Sequence, residues 1–174
     1  MQYSTSLLVL ALLTVDFVAG CSQESSGVDP RWAVQRENLL LDHEPDGAVG
    51  VLDAREMIPH AGKLVIVGRI GGVDDPWGRD EASFAIADPS WAPDDHATHE
   101  DCGDDCPFCS AKEDSANDAV ALVQVVDEAG KVLPVDARAL LGVDTDQMVV
   151  VLGDAEVNSL GLLVVSAQGI YVRR

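Results

Sequence analysis

The side chains best suited to chemistry lie close together in His96-Ala97-Thr98-His99-Glu100-Asp101-Cys102-Gly103-Asp104-Asp105-Cys106-Pro107-Phe108-Cys109. Thiolate and imidazole are the donors that zinc and other thiophilic ions prefer, and four of them complete a tetrahedral shell. The spacing His-x2-Cys-x3-Cys-x2-Cys nominates His99, Cys102, Cys106 and Cys109 as ligands, with His96 as substitute or outer partner. Gly103 and Pro107 supply the tight turns that such a knuckle needs. Three thiolates and one imidazole close the shell and leave no position for substrate. They also donate so much charge that a bound water would be a poor acid. The expectation is therefore a structural zinc rather than a hydrolytic one, with Cu(I) as the alternative ion for a thiolate-rich set.

Other readings compete for the same thiols. In an oxidising compartment two of the three would pair and leave one free. Cys106-Pro107-Phe108-Cys109 also resembles a glutaredoxin active-site motif, which implies a thiol-disulfide oxidoreductase with Cys106 attacking and Cys109 resolving. That chemistry needs a strand feeding a helix, and Ser110-Ala111-Lys112-Glu113 offers only a short one. The acids Asp94, Asp95, Glu100, Asp101, Asp104 and Asp105 oppose thiolate formation while drawing cations toward the loop. Ser110 stands where haem attachment through Cys-x2-Cys requires His.

The elements that must position this loop are mainly strands. Leu64-Val65-Ile66-Val67-Gly68-Arg69-Ile70 is a β-branched run stopped by Gly71-Gly72, and Ser83-Phe84-Ala85-Ile86-Ala87 ends at Asp88-Pro89. A polar insertion over 90–117 carries the Cys and His residues. Ala119 to Val126 reads as a third strand, Glu128-Ala129-Gly130 as a turn, and Asp136 to Leu141 as a short helix. Gln147 to Leu152 and Leu162 to Val165 complete the set, with Ile170-Tyr171-Val172 closing the chain. Upstream, Trp32, Val34 and Leu39 to Leu41 are weakly helical behind Asp29-Pro30. The expected fold is all-β: a five-stranded OB-like barrel over 63–174, with a short helix between strands 3 and 4 and an N-terminal helical segment over 31–62. A small β-sandwich has similar strand spacing.

Val67-Gly68-Arg69-Ile70-Gly71-Gly72, Gln124-Val125-Val126-Asp127 and the Gly169-Ile170-Tyr171-Val172 ending resemble the OB-like domains of exported bacterial lipoproteins. That resemblance concerns fold more than activity. At the N-terminus, Leu7 to Leu13 forms a secretory apolar run, and Asp16 interrupts it before it is long enough to span a bilayer. Val18-Ala19-Gly20-Cys21 resembles the bacterial lipobox, which implies cleavage after Gly20 and a lipid anchor on Cys21. Residues 1–20 are then a signal peptide and 21–30 a polar tether. Ser22, where Asp would signal retention in that family, implies the periplasmic face of the outer membrane in the cell envelope.

Charge narrows the partners. The chain has 11 Lys and Arg against 30 Asp and Glu, a formal −19. Loss of residues 1–20 removes Asp16 alone, leaving 11 against 29, or −18. Such a surface repels nucleic acid, so the oligonucleotide binding associated with OB barrels is not expected, whereas a basic protein partner is compatible. Hydrophobic residues make up 47% and aromatic residues 5%, which describes a folded aliphatic core with few stacking platforms. Arg69 with Gly71-Gly72 lacks the Lys and Ser or Thr of a phosphate loop, His43 and His60 stand alone, and no Ser sits in a Gly-x-Ser-x-Gly elbow.

Overall fold

In a computed structural model, residues 29–58, 62–91 and 117–174 are described. The chain enters through a 3-10 turn over Pro30–Trp32. Pro30 cannot donate a backbone hydrogen bond, and the Asp29 carboxylate accepts one from the Arg31 N–H at 3.0 Å. The last two residues of the expected tether are thus ordered. Helix α1, Ala33–Leu39, stops where Leu40 turns extended, and Leu41 donates its N–H to the Ile170 carbonyl at 2.9 Å. The stretch from Trp32 to Leu41, read as weakly helical, is therefore a helix followed by a strand-like tail. A second helix, α2, covers Val51–Met57.

Five strands follow: β1, Lys63–Ile70; β2, Ser83–Ala87; β3, Val120–Val125; β4, Met148–Val157; and β5, Leu163–Val172. Helix α3, Ala137–Leu141, lies between β3 and β4. All five strands belong to one mixed sheet that closes in the ring order β1-β2-β3-β5-β4, rather than to the two stacked sheets of a sandwich. β3 and β5 run parallel, with Ala121 opposite Leu163, and every other pairing is antiparallel. Phe84, Ile66, Ile70, Ile86, Val123, Leu140, Leu163 and Ile170 fill the interior with essentially no exposure. α1 and α2 contribute Leu39, Val51 and Ala54 to the same core, so the N-terminal segment is part of the packed unit and not an appendage.

Two strands are longer than their sequence suggests. β4 continues past Leu152 to Val157 because Asp154 and Glu156 face solvent while Gly153 and Ala155 face inward, an alternation that a half-exposed strand accommodates. β5 is continuous from Leu163 to Val172. Its apparent break at Gln168-Gly169 is a register shift opposite Leu152 and Gly153, with Gln168 as the extra residue. The β1–β2 seam is short, pairing Arg69 with Ala87 and Ile70 with Ile86. Gly68 permits this close crossing, since a Cβ there would lie 2.9 Å from both the Ala87 carbonyl oxygen and Ile86 Cβ. Gly72, at φ +85°, starts the turn away from the seam.

Candidate functional site

The strand directions put the β2 C-terminus, the β3 N-terminus, the β4 C-terminus and the β5 N-terminus at one end of the ring. The Cys and His insertion departs from and returns to this end. Its two arms are joined by the Asp88 N–H, which donates to the Ala119 carbonyl at 2.8 Å. Asp88 is 5% exposed and organises the departing arm. One of its carboxylate oxygens accepts from the Ser90 N–H at 2.8 Å and from the Ser90 hydroxyl at 2.6 Å, and the other accepts from the Leu52 N–H at 3.1 Å. Burial pushes against ionisation of this group. The Ser90 hydroxyl, with the N–H groups of Leu52, Ser90 and Val51, outweighs that cost and holds the carboxyl below its ordinary value.

Asp88 thereby caps α2, whose own N-cap is Gly50 and has no capping side chain. Gly50 is needed there: a Cβ would come within van der Waals overlap of the Asp88 carboxylate. Trp91 then folds back over Ala85, Ala87 and Val120 on the outside of β2 and β3, which explains why β2 is buried on both faces. On the returning arm, Asp118 pairs with Arg55 of α2 at 2.7 Å, and the same guanidinium donates to the Gly161 carbonyl at 2.8 Å in the β4–β5 turn. Arg55 Nη1 and Trp91 Nε1 are buried at this end without a hydrogen-bond partner among the described residues.

The opposite end is closed differently. Asp136 caps α3 locally, accepting from the N–H groups of Arg138 and Ala139, and Gly142 ends the helix in the left-handed region at φ 69°. Arg138 lies over the Trp77 ring at 5.3 Å, and Trp77 is tilted against Phe84 with ring centroids 6.0 Å apart. Trp77 therefore packs this end of the ring, while Trp91 covers the outer face of β2 and β3. An open groove of about 830 Å3 lies between α1 and the point where β3 leaves β5, lined by Gln35, Asn38, Asp127, Glu128, Asp154 and Gln168 over an apolar floor.

His96, His99, Cys102, Cys106 and Cys109, the neighbouring acids, Cys21 and the segment 1–28 all lie outside the described residues, as does His60. His43 is exposed. Among the described residues no three His, Cys, Asp or Glu side chains come together as metal ligands, and no helix is long and apolar enough to cross a membrane. The stem residues Asp88, Arg55 and Asp118 were not legible as a site in the sequence. Asp88-Pro89-Ser90 signals a local turn, but nothing in it points to Leu52 as the partner. Comparison with known proteins returns no matching family model and no matching curated relative.

Proposed function

We propose that the chain is an exported, lipid-anchored protein of OB-like fold whose β2–β3 insertion holds one thiophilic metal ion in a structural or binding role. The closed ring with parallel β3–β5 pairing and α3 between β3 and β4 supports the OB-like reading. The observation that carries the metal reading is the stem. Both arms of the insertion are fastened to each other and to α2 through Asp88, Ala119, Asp118 and Arg55, so donors spaced from His99 to Cys109 start from a fixed base. Fixed ends reduce the entropy that the insertion loses when a metal closes it.

Cys102, Cys106, Cys109 and His99 would hold the ion, with His96 able to replace His99. Their chemistry fits zinc first and Cu(I) second. Bound metal would organise the loop and confer no hydrolytic activity. Cys21 would supply the membrane anchor through its lipid, and the acidic surface would suit a basic protein partner.

Elemental analysis of the protein beginning at Ser22, purified under mild reduction without chelator, tests this together with a free-thiol count. About one equivalent of zinc or copper with no reactive thiol is the expected result. No metal, with one disulfide and one free thiol, would replace the metal centre by a covalent staple. Turnover of a disulfide substrate, lost on replacing either Cys106 or Cys109, would replace it by an oxidoreductase.

A further inference from the structure

A second cavity, of about 540 Å3, opens at the end of the ring opposite the stem of the insertion, between the tail of α1, the C-terminus of α3 and the end of β5. Its lining runs against the composition of the chain. Three of the 11 basic residues, Arg36, Arg173 and Arg174, meet there, with Asp42 as the one carboxylate side chain in the lining.

The hydrogen-bond inventory gives the cavity a definite polarity. Arg36 is half-buried and fixed: its Nη1 donates to the Leu140 carbonyl at 2.8 Å, and it forms no ion pair among the described residues. Gly142 makes room for the guanidinium, since a Cβ there would stand 3.1 Å from Nη2 and 3.2 Å from Nη1. A guanidinium has five N–H donors, so among the described residues most of the Arg36 fork remains to be satisfied. Gln147 uses its side-chain oxygen to accept from the Asp144 N–H at 3.0 Å, which leaves its NH2 group as what it can offer a ligand. Tyr171 also lines the cavity. Arg173 is paired with Glu44, and Asp42 offsets part of the remaining charge, so what the cavity offers an anion is the directed Arg36 guanidinium rather than a strong positive field. Leu40, Leu41, Leu141 and Val172 form the remaining wall.

We infer that this cavity binds a small organic carboxylate, with its carboxylate on the Arg36 fork beside the Gln147 amide and its apolar body against Leu40, Leu41, Leu141 and Val172. A planar two-oxygen anion matches a guanidinium fork in a bidentate arrangement. The apolar wall and the volume, which falls in the range of small-molecule clefts, exceed what a bare inorganic anion would use. Its lining shares no residue with the stem of the insertion.

The test is titration of the full chain with hexanoate, hexanamide and inorganic phosphate, followed by backbone amide NMR shifts and calorimetry. Hexanoate is expected to shift residues around Arg36, Gly142, Gln147 and Tyr171 saturably, and about tenfold more tightly than hexanamide. Arg36→Lys keeps the charge but loses the fork, and should weaken hexanoate about tenfold. Because Arg36 also holds α3, Gln147→Glu provides a second variant: it keeps the acceptor for Asp144 and places a negative charge in the cavity, which should abolish binding. No saturable shift in this cavity, equal binding of hexanamide, phosphate binding as tight as hexanoate, or hexanoate affinity unchanged by Gln147→Glu would each overturn the assignment.

Discussion

The two ends of the ring are closed by helices of similar length held in opposite ways. α3 carries its own stops, with Asp136 two residues before the first backbone donor it caps and Gly142 directly after Leu141. α2 has neither, and takes its cap from Asp88, 36 residues further along the chain from Leu52. The caps of α3 come from its own segment, whereas the cap of α2 exists only when β2 is in place. The helix that lacks its own cap is also the one tied to the stem of the Cys and His insertion. α2 is thus coupled to that stem through Asp88 and Arg55, whereas the caps of α3 lie within its own segment.

The contrast can be broken by removing what both ends share. Phe84 is fully buried, and Phe84→Ala should cost about 3–5 kcal/mol in chemical denaturation and bring both ends down in one transition. Separate unfolding of the two ends would show that the ring is less cooperative than its single core implies.

Smaller changes should separate the ends. Asp88→Ala removes a buried, triply bonded carboxylate and should cost about 2–3 kcal/mol, with faster amide exchange concentrated in α2. Asp136→Ala should cost about 1 kcal/mol and affect α3 alone. Equal effects, or protection lost at both ends in either variant, would contradict independent capping.

Acid sharpens the same comparison. Since Asp88 ionises below its ordinary 3.8, its contribution is fully present above that pH and is lost as pH falls through the lower folded value. Asp88→Asn should therefore show a shallower decline in melting temperature on acidification than the parent. An identical decline would remove Asp88 as an acid-sensitive clamp. The smallest effect is expected for Asp118→Asn. Its side chain is 57% exposed, so breaking the pair with Arg55 should cost about 0.5 kcal/mol or less, read from denaturation midpoints.

Much of the frame was legible in order. The β-branched run ending at Gly71-Gly72, the Asp88-Pro89 stop and the Asp136 start each encode a local preference that the fold keeps. The full lengths of β4 and β5 were not, because Asp154, Glu156 and Gln168 read as breaks until the neighbouring strands give each side chain an outward face. The cluster from His96 to Cys109 was legible as ligand chemistry, and the described residues contribute its stem. The arginine-lined cavity gave no sequence signal, since Arg36, Gln147 and Arg173 lie on separate elements.

The sequence by itself therefore determined which segments form strands and where the chain turns, because those depend on neighbours within a few residues. Tertiary structure alone decided that β3 lies parallel to β5, that Asp88 caps α2, and that arginines far apart in the chain share one cavity. These are pairings between distant residues, fixed by which buried surfaces fit and which backbone groups would otherwise lose their hydrogen bonds.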